Sequence, residues 1–280
     1  SKGFSNSNLV VSGNGEGSPI ASNGNEIGRQ LNRRVEFYVR GSSTPNSPYM
    51  TYIIEKQKGL YQIAKMFGMT VDQIQEAWKK EADRACTLGN WYHDQREHDI
   101  TSCDTINRHE ATLQVIKPIV NEKGYKVASS QKLLHGIYPE HLVYLRSVGV
   151  CGQSDLVEIA HGLIHITDYK TNKEIKTESF RNWEGVSQRM NAPVSHLDDC
   201  NLNHYNLQLS IYMYMILKHN PNLKAGKLII HHISFEEEDE KDDFGYPISK
   251  LNADGEPIIK EIVPYELPYL KDEVLAIMTW

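Results

Sequence analysis

The sequence predicts an α/β fold, a mixed central sheet flanked by helices and preceded by an irregular N-terminal extension. Three observations predict it. Residues 152–157 and 164–173 are short runs of strand-like apolar pattern, joined through the turn chemistry of Ala160-His161-Gly162. Apolar residues recur at helical spacing before them (Ile74, Trp78, Ala82, Ala85, Leu88), and a second helical segment, 205–218, follows. A further apolar run, 227–235, has the length and composition of another strand.

Taken in order, residues 1–48 open as a Gly-, Ser- and Asn-rich lead with few apolar anchors. Residues 49–75 then give a strand, a short amphipathic helix ending at Gly68, and a second helix capped by Thr70. That second helix runs on through 72–100, as one long helix or two close ones. Residues 102–127 read as helix interrupted at Pro118, and strands follow near 142–146, 150–157 and 163–169. Residues 174–204 form a long polar insertion between the last of these and the 205–218 helix, equally compatible with a loose surface loop and with a gate over a single strand. The acidic run 236–243 reads as the turn after the 227–235 strand, and 264–269 leads into a closing helix over 270–280.

Chain length suffices for one large domain or two ordinary ones, and apolar and charged content are those of a soluble globular protein. No apolar run approaches the length of a membrane span, and Ser1-Lys2-Gly3 does not open a signal peptide, so a cytoplasmic location is expected. A net charge of −6 argues against non-specific coating of nucleic acid, but not against an enzyme whose site is built of carboxylates. Cys86, Cys103, Cys151 and Cys200 are scattered without a C-x-x-C pair, so they read as free thiols rather than zinc ligands.

The chemistry concentrates at the predicted hairpin. The separation of Asp155 and Asp168 suits facing positions on paired strands, and Lys170, two residues beyond Asp168, shares its strand face. Two carboxylates and an amine converging on one spot can hold a divalent cation and activate water.

Asp155 followed by Asp168-x-Lys170 resembles the core of the PD-(D/E)XK nuclease superfamily. Three other segments extend the resemblance to its RecB-like, phage-type branch, over residues 76–280. Gly89-Asn90-Trp91-Tyr92-His93-Asp94-Gln95-Arg96-Glu97 is similar to that branch's G-T-x-x-H-x-x-x-E helix, with Asn90 in place of Thr. Gln208-Leu209-Ser210-Ile211-Tyr212 matches its Q-x-x-x-Y helix, and Glu140 sits where the branch often carries a glutamate ahead of the metal strands. The resemblance implies a restriction-endonuclease-like fold and an Mg2+- or Mn2+-dependent deoxyribonuclease, exonuclease-like, acting in recombination, repair or phage DNA processing. It implies His93, Asp155, Asp168 and the Tyr169 carbonyl as metal ligands, and Lys170 as the group that orients or deprotonates water. Gln208 and Tyr212 would steady Lys170 and contact the nucleic-acid backbone, and Glu140 would stand behind the ligands. Implied partners are DNA, with single-stranded ends favoured, and a helicase or recombination protein. Some relatives of this type hold an iron–sulfur cluster with three cysteines after the Q-x-x-x-Y helix; no cysteine follows Gln208, so no cluster is expected.

Two further resemblances lie upstream. Residues 27–39 are similar to the end of an OmpA-like peptidoglycan-binding domain, and residues 52–74 to the first two-thirds of a LysM module. Both stop where a domain would not, which favours a degenerate or secondarily joined N-terminal part over a true composite. They leave a peptidoglycan-binding protein as one alternative; a catalytically inactive nuclease fold that binds DNA is another.

Overall fold

The computed structural model describes residues 70–181, 185–242 and 246–280, together with the backbone of three strands further upstream. Those strands, β1 (Leu9–Ser12), β2 (Glu36–Arg40) and β3 (Tyr49–Ile53), form an antiparallel sheet in the order β1-β2-β3. The remainder of the segments expected to be OmpA-like and LysM-like lies outside the described residues. The chain divides into two compact units, Ser1–Lys80 and Glu81–Trp280; the sequence reading put the boundary at 75/76.

Helix α1 (Val71–Thr101) begins where the sequence says it should. Thr70 and Gln73 form a reciprocal capping box: the Gln73 amide donates to Thr70 Oγ1 at 3.2 Å, and the Thr70 amide donates to Gln73 Oε1 at 2.7 Å. The segment expected to continue as helix instead makes a small hairpin, β4 (Thr105–Arg108) and β5 (Ala111–Gln114). Its tip, His109-Glu110, has both φ angles positive, as a two-residue hairpin turn requires, and carries neither Gly nor Asn to announce it.

The large unit is mixed α/β around a five-stranded sheet. Its strands are β6 (Gly136–Leu145), β7 (Val150–Ala160), β8 (Leu163–Lys170), β9 (Lys224–Phe235) and β12 (Ile259–Leu267), in the order β12-β9-β8-β7-β6. β6, β7 and β8 run as an antiparallel meander, β9 pairs parallel with β8, and β12 returns antiparallel to β9. The β7–β8 turn is His161-Gly162 with φ 51° and 76°, whose twist matches the flanking strands. The parallel step from β8 to β9 needs a crossover, supplied by the 171–200 segment and helix α2 (Asn201–His219).

α2 covers one face of the sheet: Leu209, Met213, Met215 and Ile216 bury against Ile164, Ile166, Leu228 and Ile230. The other face carries Tyr92 of α1 against Tyr169 and Ile233, and Ile100 against Leu113, Ile137 and Leu156. Helix α3 (Lys271–Thr279) closes the chain beside α2. The 174–204 insertion is anchored rather than loose at its far end, with Met190 and Val194 buried against Leu207, Leu270 and Ile277. The acidic run expected to be a turn is strand β10 (Glu237–Lys241), paired with β11 (Pro247–Ser249). Among the described residues, no helix is long and apolar enough to cross a membrane.

Gly226 permits a close approach of β8 and β9, since a Cβ there would lie 2.6 Å from the Ile164 carbonyl oxygen. Gly226→Ala must therefore push the parallel strands apart. It is expected to lower stability by about 1–3 kcal/mol in urea denaturation, and an unchanged midpoint would contradict this packing.

Candidate metal centre

The centre forms where the sheet's alternation reverses. Tyr138 and, five residues on, Val143 face the same α2-side core, as do Val157 and, across a similar odd step, Val150. A regular strand puts residues an odd number apart on opposite faces. On β6 the reversal falls at Glu140, whose φ of 50° is left-handed, a costly conformation for a side chain of this kind. Pro139↔Leu156 and His141↔Ser154 pair on either side, so Glu140 and Asp155 stand opposite one another at the break. The β7–β8 ladder ends at Leu156↔Thr167; one step further places Asp155 across from Asp168. Three carboxylates thus lie side by side on three neighbouring strands. Asp155 takes up the freed backbone, its Oδ2 accepting the Tyr169 amide at 2.8 Å.

His93 reaches this row from α1. Its Nδ1 is 3.6 Å from Asp155 Oδ2 and 3.9 Å from Glu140 Oε1, and its Nε2 is 3.2 Å from the Tyr169 carbonyl. One ligand atom from each of His93, Glu140 and Asp155 lies within 4.8 Å of the others. The expected ligands His93 and Asp155 are therefore together, and the Tyr169 carbonyl meets the same imidazole. Glu140, expected behind the ligands, stands among the donor atoms themselves. Asp168, also expected as a ligand, lies outside that three-residue cluster and pairs through Oδ2 with the Lys170 ammonium at 2.5 Å.

The remaining residues fix these groups. Glu140 Oε2 accepts from Gln153 and faces Lys126 Nζ at 3.4 Å, and Lys126 in turn pairs with Glu97 at 2.6 Å. Gln208 donates to the Tyr212 hydroxyl at 3.1 Å. The ring over Lys170 is that of Tyr205, its centroid 4.8 Å from Nζ. Tyr205 was within reach of sequence reasoning, because 205, 208 and 212 share one helical stripe. Lys126 and Gln153 carried no such signal: one sits in irregular chain, and the other, two residues before Asp155 on β7, matches no motif position. A cavity of about 500 Å³ opens beside the centre, lined among others by Gly89, His93, Glu97, Lys126, Glu140 and Asn172. Gly89 lets α1 approach the end of β8, since a Cβ there would lie 3.1 Å from Thr171 Oγ1.

The electrostatics follow from packing these charges out of water. Burial, reinforced by Asp168, pushes the Asp155 carboxyl up to about 7. Burial also raises Asp168, against the pull of Lys170. His93 is raised chiefly by the neighbouring Glu140 carboxylate, against the effect of burial. Burial alone would raise Glu140, but His93, Lys126 and Gln153 together outweigh it and hold that carboxyl below its ordinary range. Burial works against the Lys170 ammonium, yet Asp168 and Asp155 keep it charged, above the ordinary lysine value. A surplus of buried carboxylate beside an imidazole and a backbone carbonyl is a donor set that fits a divalent cation.

No protein-family model, curated protein or solved structure matches the chain.

The raised Asp155 and His93 set a pH dependence whose sign is fixed by linkage. Each binds a proton more tightly folded than unfolded, so each adds stability at low pH that is lost as pH rises through its folded value. Glu140 is shifted the other way, and its contribution is lost only as pH falls through the carboxylate range. The cation-free chain should therefore melt several degrees higher near about pH 5.5 than near about pH 8. Asp155→Asn should flatten much of that difference, and Mn2+ should raise the melting temperature at the alkaline end. A wild-type profile that rises toward alkaline pH would contradict the burial of these groups.

Proposed function

We propose that the chain is a metal-dependent nuclease that hydrolyses DNA phosphodiester bonds, with a restriction-endonuclease-like arrangement of sheet and helices. The observation that carries this reading is the meeting of His93, Glu140 and Asp155 beside the Asp168–Lys170 pair, at the edge of an open cavity. His93, Glu140, Asp155 and the Tyr169 carbonyl would hold the cation, with magnesium or manganese favoured by oxygen-rich ligands and manganese by the imidazole. When bound, that cation supplies a more acidic water and neutralises phosphate charge.

The side chains account for the rest. Lys170, paired with Asp168 and raised by its acidic neighbours, would act as an ammonium donor toward a phosphate oxygen. Asp168 fixes its position from below, and the Tyr205 ring fixes it from α2. Tyr205 also donates to Asn172 Oδ1 at 3.3 Å, tying the cavity wall to the same helix. On α2, Gln208 holds the Tyr212 hydroxyl, and the Tyr212 ring lies against Gly152 of β7. The cavity is open rather than enclosed, which suits a chain-like substrate laid across it. Single-stranded ends are the favoured substrate, with recombination, repair or phage DNA processing as the setting.

The test is EDTA-sensitive degradation of end-labelled single- and double-stranded DNA in Mg2+ or Mn2+. Lys170→Ala and Asp155→Ala should each lower the rate by about a hundredfold or more while leaving the circular dichroism spectrum unchanged. Undiminished cleavage in either variant would overturn the proposal.

A further inference from the structure

We propose that Lys126 takes the place of a second cation, so that this centre holds one divalent ion and not two. The inference rests on the reading of the centre as a metal site, and it concerns a residue that no motif in the sequence marks.

The Lys126 ammonium sits between two carboxylates, 2.6 Å from Glu97 and 3.4 Å from Glu140. Glu97 comes from the same helix as His93, one turn on, and both line the cavity. Without Lys126, Glu97 and Glu140 would face one another across the cavity wall as a pair of oxygen donors, the ligand type that a second Mg2+ or Mn2+ requires. Paired-ion phosphoryl-transfer centres place two cations about 4 Å apart and share a carboxylate between them. Here the shared carboxylate would be Glu140, but its two oxygens already have separate tasks. Oε1 faces His93, whereas Oε2 is occupied by Lys126 and Gln153.

The charge count agrees. Glu97, Glu140, Asp155 and Asp168 bring four negative charges when ionised, and Lys126 and Lys170 return two positive ones. The residual charge of minus two is balanced by one divalent ion. A second ion would leave an excess of positive charge in a half-buried site. Asp94 also lines the cavity but is exposed, so water screens it.

A tethered ammonium differs from a second ion in one functional respect. It offers positive charge to a bound phosphate without needing free metal, so only one ion must be captured from solution. It also pins Glu140, the residue at the strained turn of the strand, in the orientation that points Oε1 at His93.

Manganese stoichiometry tests this directly on the full chain, by calorimetric titration with MnCl2 and by electron paramagnetic resonance of the bound ion. Wild type should bind one Mn2+ per chain with the spectrum of an isolated ion. Lys126→Met, checked for native circular dichroism, should bind two and show a spin-coupled pair; Lys126→Arg should retain one. Should Lys126→Met not fold, Lys126→Gln provides the same removal of charge, and the wild-type stoichiometry remains decisive. Two ions in wild type, or a single ion in the folded neutral variants, would overturn the assignment of Lys126. No bound ion in wild type would instead overturn the metal centre itself, and this assignment with it.

Discussion

Three carboxylates on adjacent strands cannot all be ionised in a half-buried site without compensation. At a strand spacing of about 5 Å and an effective dielectric near 20, each neighbouring like-charged pair repels by about 3 kcal/mol. Glu140, Asp155 and Asp168 are nevertheless brought level with one another by the register of β6, β7 and β8. Their surroundings answer that repulsion piece by piece: Lys170 on Asp168, Lys126 and Gln153 on Glu140, the Tyr169 amide on Asp155, and His93 between the last two. The compensation is incomplete at Asp155, whose carboxyl burial drives up to about 7. A site that leaves one carboxylate unbalanced in this way is poised to take a cation.

The sheet supplies the constraint that makes this possible. A regular ladder would send alternate residues of β6 to opposite faces throughout. The left-handed turn at Glu140 lets Tyr138 and Val143 both reach the α2-side core and leaves the acidic pair at the discontinuity. Strain of this kind costs about 1–3 kcal/mol, and it is offset here by the apolar burial on either side. Because α1 packs on one face through Tyr92 and Ile100 and α2 on the other through Leu209 and Met213, the histidine and Tyr205 arrive from opposite layers on rigid elements. The placement of His93 and Tyr205 therefore derives from the core.

Much of this was legible in the chain, for local reasons. The hairpin of β7 and β8, its register and the common face of Asp168 and Lys170 follow from period-two patterning and one two-residue turn. The start of α1 follows from Thr70 and Gln73, and the placement of His93 beside Glu97 follows from helical spacing. What could not be read depended on tertiary contacts. The β4–β5 hairpin turns through His109-Glu110, residues with no turn signature, so its sequence passes for helix. β10 is an acidic edge strand with exposed side chains, which composition alone assigns to a turn. β12 carries Pro264 and mixed polarity because it lies at the sheet's margin, where one side needs no partner. Lys126 reaches Glu97 and Glu140 from irregular chain, a contact no periodicity encodes. Glu140 was identified as a residue of interest, but its place among the donors depends on a backbone angle and not on a motif.

The most direct test of this account is to locate the ion. Crystals of the chain grown with Mn2+ should show an anomalous difference peak at ligand distance from His93, Glu140 and Asp155, with Asp168 still joined to Lys170. A peak held by other residues, or these side chains diverging with no ion between them, would contradict it.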